Sequence, residues 1–373
     1  MPSTIDNTMK YLTSLKEDFV SKMIFFMILL IIILMLCYFF YMRRLEASEC
    51  SFMDSLYSKV DGNLRSINSS DPQCGYTFKD YYIKSAYNSC SGGSYKNDFV
   101  DICNLKNVIK QGVRGLDFEI YSLDNEPVVA TSTESSYFIK ETYNSVKFSD
   151  VMYTIQNYAF SNSTCPNPQD PVVIHLRIKS SNSKMYENFA NIFKSYNSIL
   201  LGKDYSFENH KTNLGDVPLL TLAGKVIIIV DRTNTSFMES EHFQEYVNMT
   251  SNSMFMRALH YTDIKQAPDV NELIEYNKRN MTIGMPDVGI NPPNMSTILV
   301  RETGTQMLAM RYQQVDVFLE ENAAFFDKAG YAYVLKPERL RYVPVTIPAP
   351  TPQRPELSYA TRTISKDYYS FNV

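Results

Sequence analysis

The chain has 373 residues, 45% of them hydrophobic, with a net charge of −4. That length holds one large domain of roughly 250 residues plus extensions. The mild negative charge leaves no electrostatic footprint for nucleic acid, and no cysteine–histidine spacing of zinc type is present. Trp is absent while Tyr and Asn are plentiful, which reads as an A+T-rich coding bias rather than as chemistry.

Residues 1–22 precede an unbroken uncharged run from Met23 to Phe40. With Tyr41 and Met42 it reaches the roughly 20 residues that a membrane-spanning helix needs. It is too long for a signal-peptide core, and no small-residue cleavage site follows it. Residues 23–42 are therefore expected to cross a membrane once. Phe39, Phe40 and Tyr41, followed by Arg43 and Arg44, form an interfacial end. Lys10, Lys16 and Lys22 before the span outnumber the two arginines after it. This balance predicts a cytoplasmic N-terminus and a lumenal or external body. The Asn-X-Ser/Thr sequons at Asn68, Asn162, Asn234, Asn248, Asn280 and Asn294 lean the same way. Cys50, Cys74, Cys90, Cys103 and Cys165 lie outside the span; an odd number allows at most two disulfides, and the pairing stays open.

Residues 43–75 read as a juxtamembrane stalk, with a short helix over Leu56–Leu64 and a turn at Ser69-Ser70-Asp71-Pro72. From residue 76 to 345, strand-like runs alternate with amphipathic stretches. The predicted strands are Tyr81–Ser85, Gly115–Tyr121, Pro127–Thr131, Val172–Ile178, Lys225–Asp231, Met254–His260, Met281–Pro286 and Gln306–Tyr312. The predicted helices include Phe148–Phe160, Met185–Leu200 and Val270–Asn277. Such alternation argues for a parallel α/β sheet, and eight strands for a closed (β/α)8 barrel. Periodicity alone supports an open doubly wound sheet equally well. Residues 346–373 open on a Pro-rich stretch and read as a peripheral tail.

One strand stands out. Gly112 and Arg114 lead into Gly115-Leu116-Asp117-Phe118-Glu119-Ile120-Tyr121. Asp117 and Glu119 share a face, while Leu116, Phe118 and Ile120 take the other. Two carboxylates facing inward require a metal ion or a basic side chain, because unpaired buried charge is costly.

The chain resembles the eukaryotic-type phosphoinositide-specific phospholipase C catalytic core. Tyr82-Ile83-Lys84-Ser85-Ala86-Tyr87-Asn88-Ser89 resembles "YxISSxHNTY", and Gly112-Val113-Arg114-Gly115-Leu116-Asp117-Phe118-Glu119 resembles "GCRCxELD". Phe148-Ser149-Asp150-Val151, Tyr158-Ala159-Phe160 and Pro171-Val172-Val173-Ile174 follow the family's next stretch. Gly304-Thr305-Gln306-Met307-Leu308-Ala309-Met310-Arg311-Tyr312-Gln313 resembles "GCQxVALNFQT". The run from Gly330 to Arg341 resembles "GGxGYVLKPxxLR". The resemblance implies a distorted TIM barrel with an X half over 76–231 and a Y half over 254–345. Here the connection between the halves, roughly 232–253, is short, and the one transmembrane helix precedes the barrel.

In that family two histidines exchange protons and Ca²⁺ stabilises charge on the phosphate. Carried over residue by residue, the first histidine falls at Tyr87 and the second at Thr131. The Ca²⁺-binding asparagine is kept as Asn88, and the acidic pair as Asp117 and Glu119. The third acidic ligand falls at Arg177. The substrate-phosphate lysines fall at Ile229 and Asp231, and the Arg and Tyr of "RIYP" near Ile283 and Met285. The resemblance therefore implies that both proton-transfer residues are replaced, one ligand is reversed in charge and the phosphate cations are lost. Tyr and Thr cannot act as general bases at neutral pH without strong perturbation.

All the histidines (His175, His210, His242 and His260) lie away from these slots. His175 shares a strand face with Arg177 and reads as a satisfied interior residue rather than a migrated catalytic one. Arg177 is expected to take the cation position and to pair with Asp117 and Glu119, the alternative being that it caps the barrel mouth.

The expected function is that of a membrane-anchored, catalytically inactive phospholipase C-like protein with a binding, scaffolding or structural role. The alternative is an active phosphodiesterase on phosphatidylinositol lipids with altered chemistry. No cofactor is expected, Ca²⁺ entering only under the alternative. The expected partners are the membrane itself and its lipid headgroups, with no nucleic acid. Residue usage and the isolated barrel fit a large DNA virus, where the chain would be a virion membrane component.

Overall fold

Alternation along the strands sorts their side chains into two apolar layers. Val173, Ile227, Ile229, Ile283 and Met307 join one buried cluster inside the ring of strands. Leu116, Phe118, Ile174, Leu176 and Ile228 join another, shared with helix residues such as Leu105, Val108, Phe189 and Phe193. The computed structural model describes residues 2–136, 138–206, 213–344, 349–351, 354 and 359–373. His210 and part of the Pro-rich stretch lie outside the described residues.

In chain order the strands are β1 (Tyr81–Ala86), β2 (Gly115–Leu123), β3 (Glu126–Ala130), β4 (Val146–Lys147), β5 (Val172–Ile178), β6 (Val226–Asp231), β7 (Met249–Ser251), β8 (Met256–His260), β9 (Met281–Met285), β10 (Met307–Met310) and β11 (Tyr333–Leu335). The parallel path runs β7-β6-β5-β2-β1-β10-β9-β8, a nearly closed α/β barrel. The expected barrel class is present, and so are the eight predicted strands, but one of them has a different place. The stretch predicted as Pro127–Thr131 is β3, which returns antiparallel on β2 and lies off the barrel path. Its place in the barrel is taken by β7, three residues inside the connection between the two halves.

Gly115 opens β2 where it lies closest to β1: a Cβ there would stand 2.1 Å from the Ser85 Oγ. Gly112 precedes it at φ 69°, a left-handed conformation that glycine adopts without strain.

Helix α1 runs without a break from Pro2 to Leu56. Its apolar part is long enough to cross a membrane, with a mean hydropathy of 3.1 over its best window. The short helix expected over Leu56–Leu64 is absent. After Leu56 the chain turns under the barrel, Asp61 N donating to Lys110 O, and buries Leu64, Ile67 and Cys74. The stretch expected to be a stalk therefore joins the core.

The last turns of α1 lie along α2 (Ile102–Lys110), which connects the C-terminal end of β1 to the start of β2. Cys50 is disulfide-bonded to Cys103, with Cα atoms 5.9 Å apart. Asp54 accepts from Asn107 Nδ2 at 2.8 Å, and the Tyr57 hydroxyl donates to Tyr312 O at 2.6 Å. The chain therefore passes from the C-terminal end of the strands, at Cys50 on the helix, to their N-terminal end at Asp61, beyond the helix. Met42 and Leu45, unlike Tyr41, Arg43 and Arg44, are half-buried, so contact with the barrel begins where the apolar run stops.

Helix α3 (Phe148–Thr154) continues as a π-turn over Ile155–Ala159, covering the predicted helix there. Helix α4 spans Ser183–Ser195, and the helix predicted from Val270 runs to Arg279. Residues 342–373 form a separate unit. They hold an antiparallel hairpin of β12 (Thr363–Lys366) and β13 (Tyr369–Asn372), where the sequence had shown only a tail.

Candidate functional site

The register of β2 on β5 sets Asp117 opposite His175 and Glu119 opposite Arg177. All four side chains face the barrel interior near the C-terminal ends of the strands, and all four are buried. The guanidinium of Arg177 lies among three oxygen-bearing side chains. Its Nε donates to Asp117 Oδ1 at 3.0 Å and its Nη2 to Asp117 Oδ2 at 2.7 Å. Nη1 donates to Glu119 Oε1 at 2.6 Å, and Nη2 also to Asn88 Oδ1 at 2.8 Å. On a further side the ring of Tyr87 lies 4.6 Å from the guanidinium carbon, a cation–π contact.

The remaining acceptors are also taken. His175 Nδ1 lies 2.7 Å from Asp117 Oδ1, and its Nε2 lies 2.9 Å from Ser251 Oγ on β7. Glu119 Oε2 accepts from the Tyr121 hydroxyl at 2.8 Å, from Ser132 N at 3.0 Å and from Ser132 Oγ at 3.2 Å. Asn88 holds a left-handed backbone at φ 46°, a conformation that asparagine tolerates better than most residues, and its N–H donates to Asp117 Oδ2 at 3.2 Å.

These contacts fix the charges. Burial alone would raise the Asp117 carboxyl, but Arg177 and His175 outweigh it and hold the group well below the usual carboxylate range. Burial works against the Arg177 charge, but Asp117, Tyr87 and Glu119 hold it above its ordinary value. Burial pushes the Tyr87 phenol far up, so it stays protonated. The Thr131 hydroxyl donates to Tyr95 O at 3.0 Å and faces none of the carboxylates. Ile229 is fully buried in the inner cluster, as are Ile283 and Met285. Asp231 accepts from Thr233 N at 2.9 Å and from Asn252 Nδ2 at 2.9 Å. Neither Ile229 nor Asp231 offers a cation. His260 Nδ1 lies 2.6 Å from Pro286 O, away from the carboxylate cluster.

The geometry thus brings together Tyr87, Asn88, Asp117, Glu119 and Arg177, and leaves Thr131, Ile229 and Asp231 in other roles. Tyr121, Ser132 and Ser251 complete the cluster without having been anticipated. Tyr121 carried a readable signal, since it continues the inward series of Asp117 and Glu119. Ser251 lies on a three-residue strand, which is too short to show a period. Chemically, the cluster is a closed ion-pair network. Each carboxylate is held by a guanidinium donor together with imidazole, hydroxyl or backbone groups, and the imidazole in the cluster, His175, is fully buried.

Residues 75–232 match the model of the phosphatidylinositol-specific phospholipase C X domain, and residues 225–339 that of the Y domain. No curated protein sequence matches the chain. Among solved structures, it is similar to the L. pealei PLC21 crystal structure at a TM-score of 0.59 and 19% identity, covering 72% of this chain and 38% of that one. The S. officinalis PLC21 structure is similar at a TM-score of 0.57 and 19% identity, with the same coverage. The chain thus spans 38% of the length of these neighbours, and at this identity the likeness is one of fold. Two family models in the expected order, on a barrel of the same fold, show that the chain belongs over residues 75–339 to the phosphatidylinositol-specific phospholipase C family.

Proposed function

We propose that the chain is a membrane-anchored phospholipase C-like pseudoenzyme, a barrel kept for binding or for building a membrane assembly. The observation that carries this reading is the position of Arg177. Its guanidinium takes up oxygens of Asn88, Asp117 and Glu119, the residues that the family resemblance assigns to Ca²⁺. A Ca²⁺ ion needs six to eight oxygen ligands, and a fixed cation already sits among these. The donor set does not fit the ion, and no catalytic step is derived through it. The lack of a histidine at Tyr87 and Thr131 supports the same reading.

The anchor supports a second part of it. Eight residues of helix, about 12 Å, separate Met42 from Cys50. Cys50 is tied to the end of α2 nearest the mouth of the barrel. α1 then acts as a strut that turns the mouth toward the bilayer it crosses. A disulfide between Cys50 and Cys103 persists in an oxidising compartment, which favours a lumenal or external barrel. A virion membrane is the setting that residue usage favours.

The test is phosphatidylinositol hydrolysis by the detergent-solubilised full chain, with and without Ca²⁺. No turnover above a buffer blank is expected. Turnover that Glu119→Ala abolishes would overturn the reading.

A further inference from the structure

The six sequons are equivalent in sequence but not in the fold. Asn248 is buried: its Oδ1 accepts from Ile228 N at 2.9 Å, and its Nδ2 donates to Gly202 O at 3.3 Å. Asn294 is buried too, with Nδ2 donating to Gln314 O at 2.8 Å and Oδ1 accepting from Arg311 N at 2.7 Å. The Asn234 Nδ2 donates to Ile178 O at 3.0 Å and to Ser180 O at 2.8 Å. Asn280 is half-buried, Asn213 Nδ2 donating to its Oδ1 at 3.4 Å, and the third residue of its sequon, Thr282, is fully buried on β9. At each of these a sugar on the side-chain nitrogen would break hydrogen bonds or displace packed chain.

Asn68 and Asn162 differ. Both side chains are exposed, and neither Nδ2 donates a hydrogen bond among the described residues. Among the described residues, the side-chain bond at Asn68 is a local one, its Oδ1 accepting from Ser70 N at 2.9 Å. Both also lie at one pole of the barrel. Beside Asn68, Ile67 N donates to Asp170 Oδ1 at 2.7 Å, just before β5 begins. Asn162 stands three residues before Cys165, whose Sγ lies 3.1 Å from Arg114 Nη2, just before β2 begins. This is the N-terminal end of the strands, opposite the end at which α1 meets the barrel.

We infer that Asn68 and Asn162 are N-glycosylation sites and that the folded chain carries glycans at these two positions alone. The inference rests on the lumenal placement proposed above. The donor is a lipid-linked oligosaccharide pyrophosphate. The amide nitrogen forms a bond to the sugar C1, the bond from C1 to the pyrophosphate oxygen breaks, the nitrogen loses a proton, and the lipid pyrophosphate leaves. Transfer to the emerging chain follows sequence and can reach every sequon. Folding then discards chains glycosylated at Asn234, Asn248, Asn280 or Asn294, because a buried polar group without its partners is costly.

The test expresses the full chain in secretory eukaryotic cells with an Asn-X-Thr acceptor tag after Val373 as a reporter of topology. Mass is read on the monodisperse fraction with and without amidase deglycosylation. The expected result is a tag glycan plus two further glycans. Asn68→Gln and Asn162→Gln should each remove one, and the double variant both, with the melting temperature unchanged. A glycosylated tag with Asn68 or Asn162 bare would overturn the inference while leaving the topology standing. A bare tag with both sites bare would overturn the lumenal placement, and the inference with it. A glycan on Asn234, Asn248, Asn280 or Asn294 in the folded fraction would also overturn the inference.

Discussion

Arg177 meets Asp117 side-on, Nε to Oδ1 at 3.0 Å and Nη2 to Oδ2 at 2.7 Å, and the same guanidinium reaches Glu119 at 2.6 Å. Paired N–H donors matched to one carboxylate are the strong form of ion pair. Here the pair is buried, so its net contribution to stability is smaller than its strength, while the cost of breaking it is large.

Arg177→Ala should therefore lower unfolding stability by about 3–5 kcal/mol, since it leaves two buried carboxylates without their cation. Replacing the whole set with Arg177→Met, Asp117→Asn and Glu119→Gln should recover most of that loss. Arg177→Lys should not rescue, because a single ammonium cannot reproduce the planar fork. Urea unfolding of the four proteins in one detergent tests all three statements.

Acid should find the same pair. The folded Asp117 carboxyl titrates below its unfolded value, so its contribution is complete above the unfolded pKa of about 3.9 and is lost as pH falls further. Between about pH 4 and pH 2 the native chain should lose stability more steeply with falling pH than Asp117→Asn. Equal slopes would mean that Asp117 is not the linked group.

His175 is buried with both ring nitrogens paired, to Asp117 and to Ser251. His175→Ala should cost about 1–3 kcal/mol through the partners it leaves unpaired. It should also leave phosphodiesterase turnover at the blank level. Native turnover above the blank that His175→Ala abolishes would instead mark the ring as a migrated catalytic group.

The strut makes a thiol prediction. Maleimide labelling after denaturation without reductant should modify Cys37, Cys74, Cys90 and Cys165, and reduction should add Cys50 and Cys103. Cys50→Ser should lower stability by about 2–4 kcal/mol, the range for a cross-link that closes a loop of this size. Six reactive thiols before reduction would contradict the cross-link.

Much of the barrel was readable because inward and outward residues alternate cleanly on β2 and β5, where charge and apolar bulk mark the two faces. Arg177 was readable through the family resemblance, which placed it at an acidic-ligand position facing Asp117 and Glu119, and through the face it shares with His175. Three features were not. β7 is too short to show a period. β3 has a normal strand pattern, but a pattern does not name the partner, and the tight turn through Asp124 and Asn125, both at positive φ, folds β3 back onto β2. The turns of α1 from Arg43 to Glu49 read as a stalk because their residues are mostly polar or charged; in the fold Leu45, Glu46 and Glu49 among them are half-buried.

The central claim is that a side chain holds the cation position. The most direct measurement is the melting temperature of the detergent-solubilised native chain titrated with Ca²⁺ up to millimolar concentration. A ligand present at 100 times its Kd adds about 2.7 kcal/mol and shifts the transition by several degrees. The account predicts no shift. A saturable rise that disappears in Asp117→Asn would show that Ca²⁺ occupies the site and would contradict the account.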